Sequence, residues 1–299
     1  MNNLLQEAPQ IEAISISSSA MLTEHTQGIW TGRKKDKRAS TQVNDDNNAD
    51  AGVANVYKAL LGSSPDLKAV QNFAQNARNS HYSMTLPWSA GFQLLPVAQY
   101  FSYHKQMTAF QVEFYRLVDV FMQGYKWAVV QAESKLGDLF NRNEYPTEDA
   151  IRSKFYFNVN YVPLPEAGDF RLDIGNEERA ALETHYNDYY SKQLTGAMNH
   201  LWNKVYDVLT KMSERLDYGD GEVKKVFRDS LVTNVLDVVD LLTLCNVTED
   251  SQLEQMRMDL EVALRGVSAS GLREDAGLRR MTKRSVDKMI DSLPSLKIS

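Results

Sequence analysis

The chain has 299 residues and a formal net charge of −6, and 43% of its residues are hydrophobic. That fraction is typical of a globular protein with a core, and the length suits one large domain or two smaller ones. Its only cysteine, Cys245, excludes a disulfide within the chain, and the few glycines (15) and prolines (8) argue against the many turns of a β-sandwich or propeller.

Nothing in the sequence indicates export or insertion into a membrane. It contains no run of about 18 apolar residues that would span a bilayer. Residues 1–20 lack the basic and apolar segments of a signal peptide, and they end in a serine-rich stretch. We therefore expect a flexible N-terminal arm over 1–20, a single mainly helical domain over 21–299, and a cytosolic location.

The first elements are short and separated by turn signals. Residues 21–30 favour a strand, because Gly28 and the threonines disfavour a helix. The Asn- and Asp-rich stretch 44–50 is expected to cap a helix over 51–61. A further helix is predicted over 65–80, where a proline occupies the first helical position.

Two very long helices follow from apolar residues that recur at three- and four-residue spacing. They are predicted over 97–140 and 177–218. Truncating a large side chain in a core of this kind costs several kcal/mol, about 3–5 for phenylalanine. The central positions of the two apolar stripes, which we expect in the core, are Phe114, Phe121, Leu201 and Val205.

The strongest strand signal is the aromatic and β-branched run 155–162, which we expect to pair with the strand before Trp30. A second short strand is expected over 168–174. Further helices are predicted from about 146, and over 223–244, 251–264 and 278–290. The expected fold is therefore α+β but mainly α: an elongated bundle of long helices with a small β-sheet near the N-terminal half.

A basic cluster stands out on this acidic protein and indicates a local binding surface. Its five cations fall within six positions: Arg33, Lys34, Lys35, Lys37 and Arg38. Such cations can contact phosphates, and Trp30 can stack on a base if its ring is exposed. The alternative is a solvated loop beside a core tryptophan. Asp36 within the run weakens the nucleic-acid interpretation.

The last predicted helix is also basic and is a second candidate contact with nucleic acid or an acidic partner. The cations that we include in the candidate site are Arg279, Arg280, Lys283 and Arg284. The alternative is an amphipathic helix that packs Leu278, Met281 and Met289 and leaves its charges in water.

No complete catalytic or cofactor motif occurs in the sequence. The five histidines are scattered without metal-ligand spacing, and the phosphate-loop, dinucleotide-glycine and serine-nucleophile signatures are missing. Cys245 ends an apolar run and is expected to be a buried small residue. We therefore expect a non-enzymatic protein with no cofactor and no metal.

Four stretches of the sequence carry a resemblance to known proteins: 30–36, 77–82 with 85–88, 168–171 and 227–232. They resemble an uncharacterised bacteriophage protein family, and the similarity runs from about residue 21 to the end. The stretch 30–36 is also similar to bacterial proteins that carry a domain of unknown function called DUF3150. The resemblance implies no catalytic residue. It implies an accessory factor of phage or mobile-element genomes, of a kind sometimes encoded beside AAA+ ATPases, von Willebrand-type proteins or recombination genes.

Two functional hypotheses follow. The first is a phage-encoded accessory or adaptor protein of the host cytoplasm that binds a protein partner, with an AAA+ ATPase as one candidate and a homo-oligomer as another arrangement. Long helices and missing motifs favour it. The second is a single-stranded-DNA-binding accessory factor in phage replication, recombination or transcription, favoured by the two basic segments and Trp30. Neither hypothesis involves a membrane.

Overall fold

The computed structural model describes residues 16–164, 176–218, 225 and 228–294. Helix accounts for 66% of the described residues, and a small antiparallel sheet lies near the N-terminal half, which confirms the predicted α+β, mainly α class. Among the described residues, no helix is long and apolar enough to cross a membrane.

The chain divides into two compact units, although the sequence led us to expect one domain. The larger unit comprises 1–23, 82–101 and 161–299, and the smaller unit comprises 24–81 and 102–160. Each has buried hydrophobic side chains of its own.

The last residues of the expected N-terminal arm are fixed in the larger unit. Ile16 is 1% exposed and belongs to the core of this unit. Its backbone N–H donates to the Tyr190 hydroxyl at 3.3 Å. Residues 1–15 lie outside the described part, so the arm expected over 1–20 stays a prediction, with its last residues next to this core.

In the larger unit, the strand order is β4-β5-β1. The start of β1 (Ala20–Gly28) pairs antiparallel with β5 (Gln93–Pro96), and Leu22 lies opposite Leu94. β5 in turn pairs with β4 (Leu86–Pro87). Leu22, Leu86 and Leu94 are buried in the same core as the helices of this unit.

After residue 164, the described part of the larger unit contains five helices. The longest, α5, packs on α6 and α9, and α6 packs on α7. Leu201 and Val205 are both 0% exposed, which confirms their predicted core positions. The strand expected over 168–174 lies outside the described residues. The helices are α5 (Asn176–Leu216), α6 (Ser230–Cys245), α7 (Ser251–Leu264), α8 (Ala269–Glu274) and α9 (Ala276–Asp291).

In the smaller unit, the rest of β1 lies beside β6 (Tyr156–Pro163), which confirms the predicted pairing. Alternate side chains of β6 face the core, so Phe157 is 0% exposed while Tyr156 is 44% exposed. The Phe157 ring lies 5.6 Å from that of Phe114. The sheet face is therefore covered by the long central helix.

Three helices of the smaller unit match the sequence pattern. They are α2 (Pro65–Ser83), α3 (Tyr100–Leu136) and α4 (Glu148–Arg152). Thr147 caps α4 by accepting a hydrogen bond from the Ala150 N–H. Phe114 and Phe121 are 0% and 1% exposed, as predicted for the stripe of α3.

The helix expected over 51–61 is wrong. The region instead contains β3 (Val56–Ala59), which pairs antiparallel with β2 (Arg33–Asp36), and the helix α1 (Lys37–Asp46) joins them. Asn44 does not cap a following helix. Its side chain bonds both the N–H and the carbonyl of Ala54, at 2.9 and 3.2 Å, and so closes the loop that brings β3 to β2.

Candidate functional site

The basic cluster is displayed by β2 and the first turn of α1, and we call β2, β3 and this turn the basic ribbon. Lys34 lies opposite Lys58, and Lys35 lies opposite Tyr57. All five predicted cations are exposed. None of the five forms an ion pair with another residue that the structure describes. The ribbon therefore presents five uncompensated positive charges to water.

Asp36, the acid within the basic run, is turned away from this surface. Its carboxylate caps α1 by accepting the Ala39 N–H at 2.9 Å, and it lies 3.4 Å from the Lys58 ammonium. The backbone hydrogen bond, followed by the interaction with Lys58, holds the pKa of Asp36 below its usual value. Asp36 therefore does not weaken the nucleic-acid interpretation as the sequence suggested, because its charge is already paired with Lys58.

Lys58 joins three segments of the smaller unit. Its ammonium lies 2.7 Å from the Glu144 carboxylate and donates to the Leu139 carbonyl at 2.8 Å. Burial lowers the pKa of Lys58, but the contacts with Glu144 and Asp36 outweigh it and raise the pKa above its ordinary value. Lys58 is therefore a structural cation, unlike its neighbours on β2.

Trp30 does not belong to the exposed surface. It is 8% exposed, and its ring lies 6.1 Å from that of Phe121 and edge-on to Tyr125 at 5.9 Å. The large apolar indole is more stable in the core than in water. Two residues later, Gly32 has a positive φ of 65°, and the chain turns outward there toward β2. Trp30 is therefore corrected from a candidate stacking residue to a core residue.

An exposed aromatic ring does occur on the ribbon, but it is Tyr57. Its side chain is 58% exposed. Tyr57 was not among the predicted site residues, because a helix was predicted over 51–61. The available signal was the alternation in β3, where Val56 and Lys58 are half-buried while Tyr57 and Ala59 are exposed.

The cations of α9 do not form a second continuous patch. Arg279 is 5% exposed, with its guanidinium carbon 4.0 Å from the centre of the Tyr218 ring, and it donates to the Leu272 carbonyl at 3.2 Å. It is therefore corrected from a surface contact to a core cation, because the ring and the carbonyl compensate its burial. Arg280 and Arg284 are exposed.

Lys283 of α9 is half-buried and paired. Its ammonium lies 2.8 Å from Asp287 and 3.6 Å from Asp217. The hydrogen bond with Asp287 and the charge of Asp217 raise the pKa of Lys283. Of the four predicted cations of α9, this leaves Arg280 and Arg284 on the surface, and they belong to the larger unit while the basic ribbon belongs to the smaller one.

A second surface of the smaller unit is apolar. Four side chains on α3 are exposed and fall within an arc of about 80° over a length of about 27 Å, at 3.6 residues per turn. We call them the α3 face. They are Val112 (67% exposed), Val120 (40%), Trp127 (65%) and Val130 (59%).

Charged residues near the α3 face are paired with one another. Arg116 lies 2.6 Å from Glu113, and Lys126 lies 2.8 Å from Glu148. Arg152 of α4 lies 2.7 Å from Asp119. The exposed Arg116 and Gln123 fall inside the same arc, so the face consists of four apolar side chains with two polar ones between them.

No catalytic constellation is visible in the described residues. They contain no group of three or more His, Cys, Asp or Glu side chains that could hold a metal ion. Cys245 is 0% exposed, and burial raises the pKa of its thiol to about 12, so it is not a thiolate nucleophile.

The buried His81 belongs to the core of the smaller unit. Its Nδ1 lies 2.7 Å from the Tyr103 hydroxyl, and it is 2% exposed. Burial, and then the nearby His25, lower the pKa of His81 to about 4. A neutral imidazole in this position is a packed, hydrogen-bonded core group.

Comparison with known proteins adds no family: no protein-family model, curated protein or solved structure matches this chain. The resemblance to phage proteins therefore stays a prediction. The candidate binding surfaces are therefore the two on the smaller unit, the basic ribbon and the α3 face.

Proposed function

We propose that this chain is a non-enzymatic adaptor, a phage-encoded accessory protein of the host cytoplasm that binds a protein partner through the α3 face. The observation that carries the proposal is the exposure of Trp127, at 65%, among the apolar side chains of this face. Tryptophan is among the residues that most often dominate the energy of protein interfaces. The resemblance points to an AAA+ ATPase as a first partner to examine.

The arrangement of the face favours an apolar helix of the partner. Val112 and Val130 stand on one line of α3, with Val120 and Trp127 beside it, so apolar side chains are spaced along about 27 Å of the helix with polar ones between them. The neighbouring charges are already paired, so a highly charged ligand finds little to bind here. A helix that lays an apolar face along the α3 face would bury these apolar side chains.

Site-specific photo-crosslinking tests this proposal. A photoreactive benzoylphenylalanine replaces Val130 in one variant and Val262, an exposed valine (68%) of α7 in the larger unit, in the control. We expect irradiation in cells to yield a discrete crosslinked partner from position 130 and none of that mass from 262. The same products from both positions, or none from 130, would contradict binding at the α3 face.

A second function, binding to nucleic acid, is favoured by one observation: five exposed cations of the basic ribbon lack ion-pair partners among the described residues. The only acid within that run, Asp36, is paired with Lys58. The acidic end of α1, Asp45 and Asp46, lines the same cavity as Lys37 and Arg38. These acids weaken the positive field at that end of the ribbon, so the field is strongest on β2.

Fluorescence anisotropy with labelled oligonucleotides tests the second function. Changing the five ribbon cations to serine should abolish salt-sensitive binding, because each lost phosphate contact reduces the log–log salt slope by about 0.7–0.9. A matched variant removes the same charge elsewhere and should bind like the parent; equal loss in both variants would reveal only an effect of net charge. Its five exposed lysines, also changed to serine, are Lys68, Lys105, Lys135, Lys192 and Lys211.

A further inference from the structure

We infer that Tyr57 is the base-stacking residue of the basic ribbon, which makes the ligand of this surface single-stranded rather than duplex nucleic acid. The inference rests on the second proposed function. It assigns a residue and a ligand class that the sequence analysis had attached to Trp30, which is buried.

The register of the ribbon places Tyr57 among cations. Lys35 lies directly opposite Tyr57, and Arg33 lies opposite Ala59 two residues further along β3. Directly opposed residues of an antiparallel pair have Cβ atoms about 5 Å apart and share one face, and diagonal neighbours are about 7–8 Å apart. Lys35 is therefore the direct neighbour of Tyr57 across the ribbon, and Arg33 is its diagonal neighbour on the same strand as Lys35, with only the small Ala59 opposite Arg33.

The same register puts the acid on the opposite face. Asp36 pairs with Val56, and Lys34 pairs with Lys58, so these four residues alternate with the Tyr57 face. Lys58 is held there by Glu144 at 2.7 Å. The two faces of the ribbon therefore differ: one contains the structural ion pairs, and the other contains an aromatic ring and two unpaired cations.

The Tyr57 side chain makes few contacts with the rest of the described protein. It is 58% exposed, and among the described residues its ring meets no other aromatic ring and its hydroxyl has no hydrogen-bond partner. Tyr145, by contrast, is 8% exposed and donates to the Leu60 carbonyl at 2.5 Å. An exposed ring on a short strand is available to a ligand.

An exposed aromatic ring next to unpaired cations favours the binding of unpaired bases. In a duplex, the faces of the bases are covered by their neighbours, whereas a single strand can turn a base onto an aromatic ring while its phosphates approach cations. Lys35 stands beside Tyr57, and Arg33 stands two residues from Lys35 on β2, so two successive backbone phosphates next to a stacked base could each meet a cation. Single-stranded DNA and RNA share this chemistry.

The test compares Tyr57→Ala and Tyr57→Phe with the parent in the full chain. The probes are labelled homopolymers of thymidine and of uridine, about 20 nucleotides long so that they exceed one binding site, and a duplex of equal length. Tyr206, an exposed tyrosine (40%) of α5, supplies the control Tyr206→Ala. We expect Tyr57→Ala to weaken single-strand binding roughly 5- to 150-fold, the range for loss of one stacked base, with little change for the duplex.

Tyr57→Phe should bind like the parent, because phenylalanine keeps the stacking surface, and so should Tyr206→Ala. Equal losses with thymidine and uridine probes support the shared chemistry, and a loss with one of them identifies the natural polymer. If Tyr57→Ala binds single strands like the parent while the five-serine ribbon variant does not, the Tyr57 inference is overturned and the ribbon function survives. If the five-serine variant binds like the parent, or the parent binds no probe at low salt, both are overturned.

Discussion

His81 gives the folded protein a dependence on pH. Its pKa is about 4 in the folded chain, against 6.5 for an ordinary histidine. Between these two values the unfolded state binds more protons than the folded state, so the free energy of unfolding rises with pH in that window. Acidification from pH 6.5 to 4 should therefore remove stability on the order of 3 kcal/mol.

The measurement is urea denaturation at several pH values, on the parent and on His81→Gln. Glutamine can still bond the Tyr103 hydroxyl, but it does not titrate. We expect the variant to lose the part of the pH dependence that lies between 4 and 6.5. A parent and a variant with the same slope in this window would show that His81 titrates normally.

Lys58 should matter for stability and not for binding. Its ammonium contacts Glu144, Asp36 and the Leu139 carbonyl. Lys58→Met leaves both carboxylates without their shared cation and should lower the free energy of unfolding by about 1–3 kcal/mol. The exposed Lys68→Met is the matched control, expected within about 0.5 kcal/mol of the parent by chemical denaturation. If Lys58→Met has the same free energy of unfolding as the parent, the three contacts are not formed in solution.

Single residues also mark the limit of sequence reasoning. The burial of Phe121 could be predicted, because a helical stripe of apolar residues has one energetically reasonable side. The fate of Trp30 could not, because a tryptophan beside cations suits both a core and a stacking site. Only the packing against Phe121 and Tyr125 decides it.

At the scale of elements, Gly28 ends β1 next to Tyr156, the first residue of β6. A Cβ on Gly28 would overlap the Tyr156 ring and lie 2.8 Å from the Lys154 carbonyl oxygen. The ring can swing away, but the backbone carbonyl cannot, so Gly28→Ala should cost about 1–3 kcal/mol in the free energy of unfolding.

Gly196 in α5 is the matched control. A Cβ there meets nothing within 4 Å, and the residue lies inside a helix. Gly196→Ala should therefore be neutral or stabilise the chain by up to about 1 kcal/mol. Thermal melts should show a lower melting temperature for Gly28→Ala and an unchanged or higher one for Gly196→Ala. A Gly28→Ala variant as stable as the parent would contradict the close approach of β1 and β6.

Elements with a strong period were predictable, and those fixed by distant partners were not. Helices α3 and α5 and strand β6 follow from apolar spacing over many residues. β3 has four residues, and its pairing with β2 depends on the loop that Asn44 closes. Short strands of this kind have too little local signal, because their stability comes from the partner strand.

At the scale of the whole molecule, the chain passes twice through the smaller unit, over 24–81 and 102–160. Both candidate surfaces, the basic ribbon and the α3 face, belong to this unit, while Arg280 and Arg284 belong to the larger one. A discontinuous division of this kind cannot be inferred from composition, which changes little along the chain. The contacts that we propose with a protein and with nucleic acid therefore both belong to the smaller unit.

The most direct test of the adaptor proposal is quantitative affinity isolation of the protein from cells that produce it, with nuclease added. The variants are Val130→Glu on the α3 face and Val262→Glu, the same change at an equally exposed site. A charge buried within an apolar contact should cost several kcal/mol of binding and release the partner. We predict one stoichiometric partner that survives nuclease, is retained by Val262→Glu and is lost from Val130→Glu. A partner that nuclease removes, or that Val130→Glu retains, would contradict the proposal.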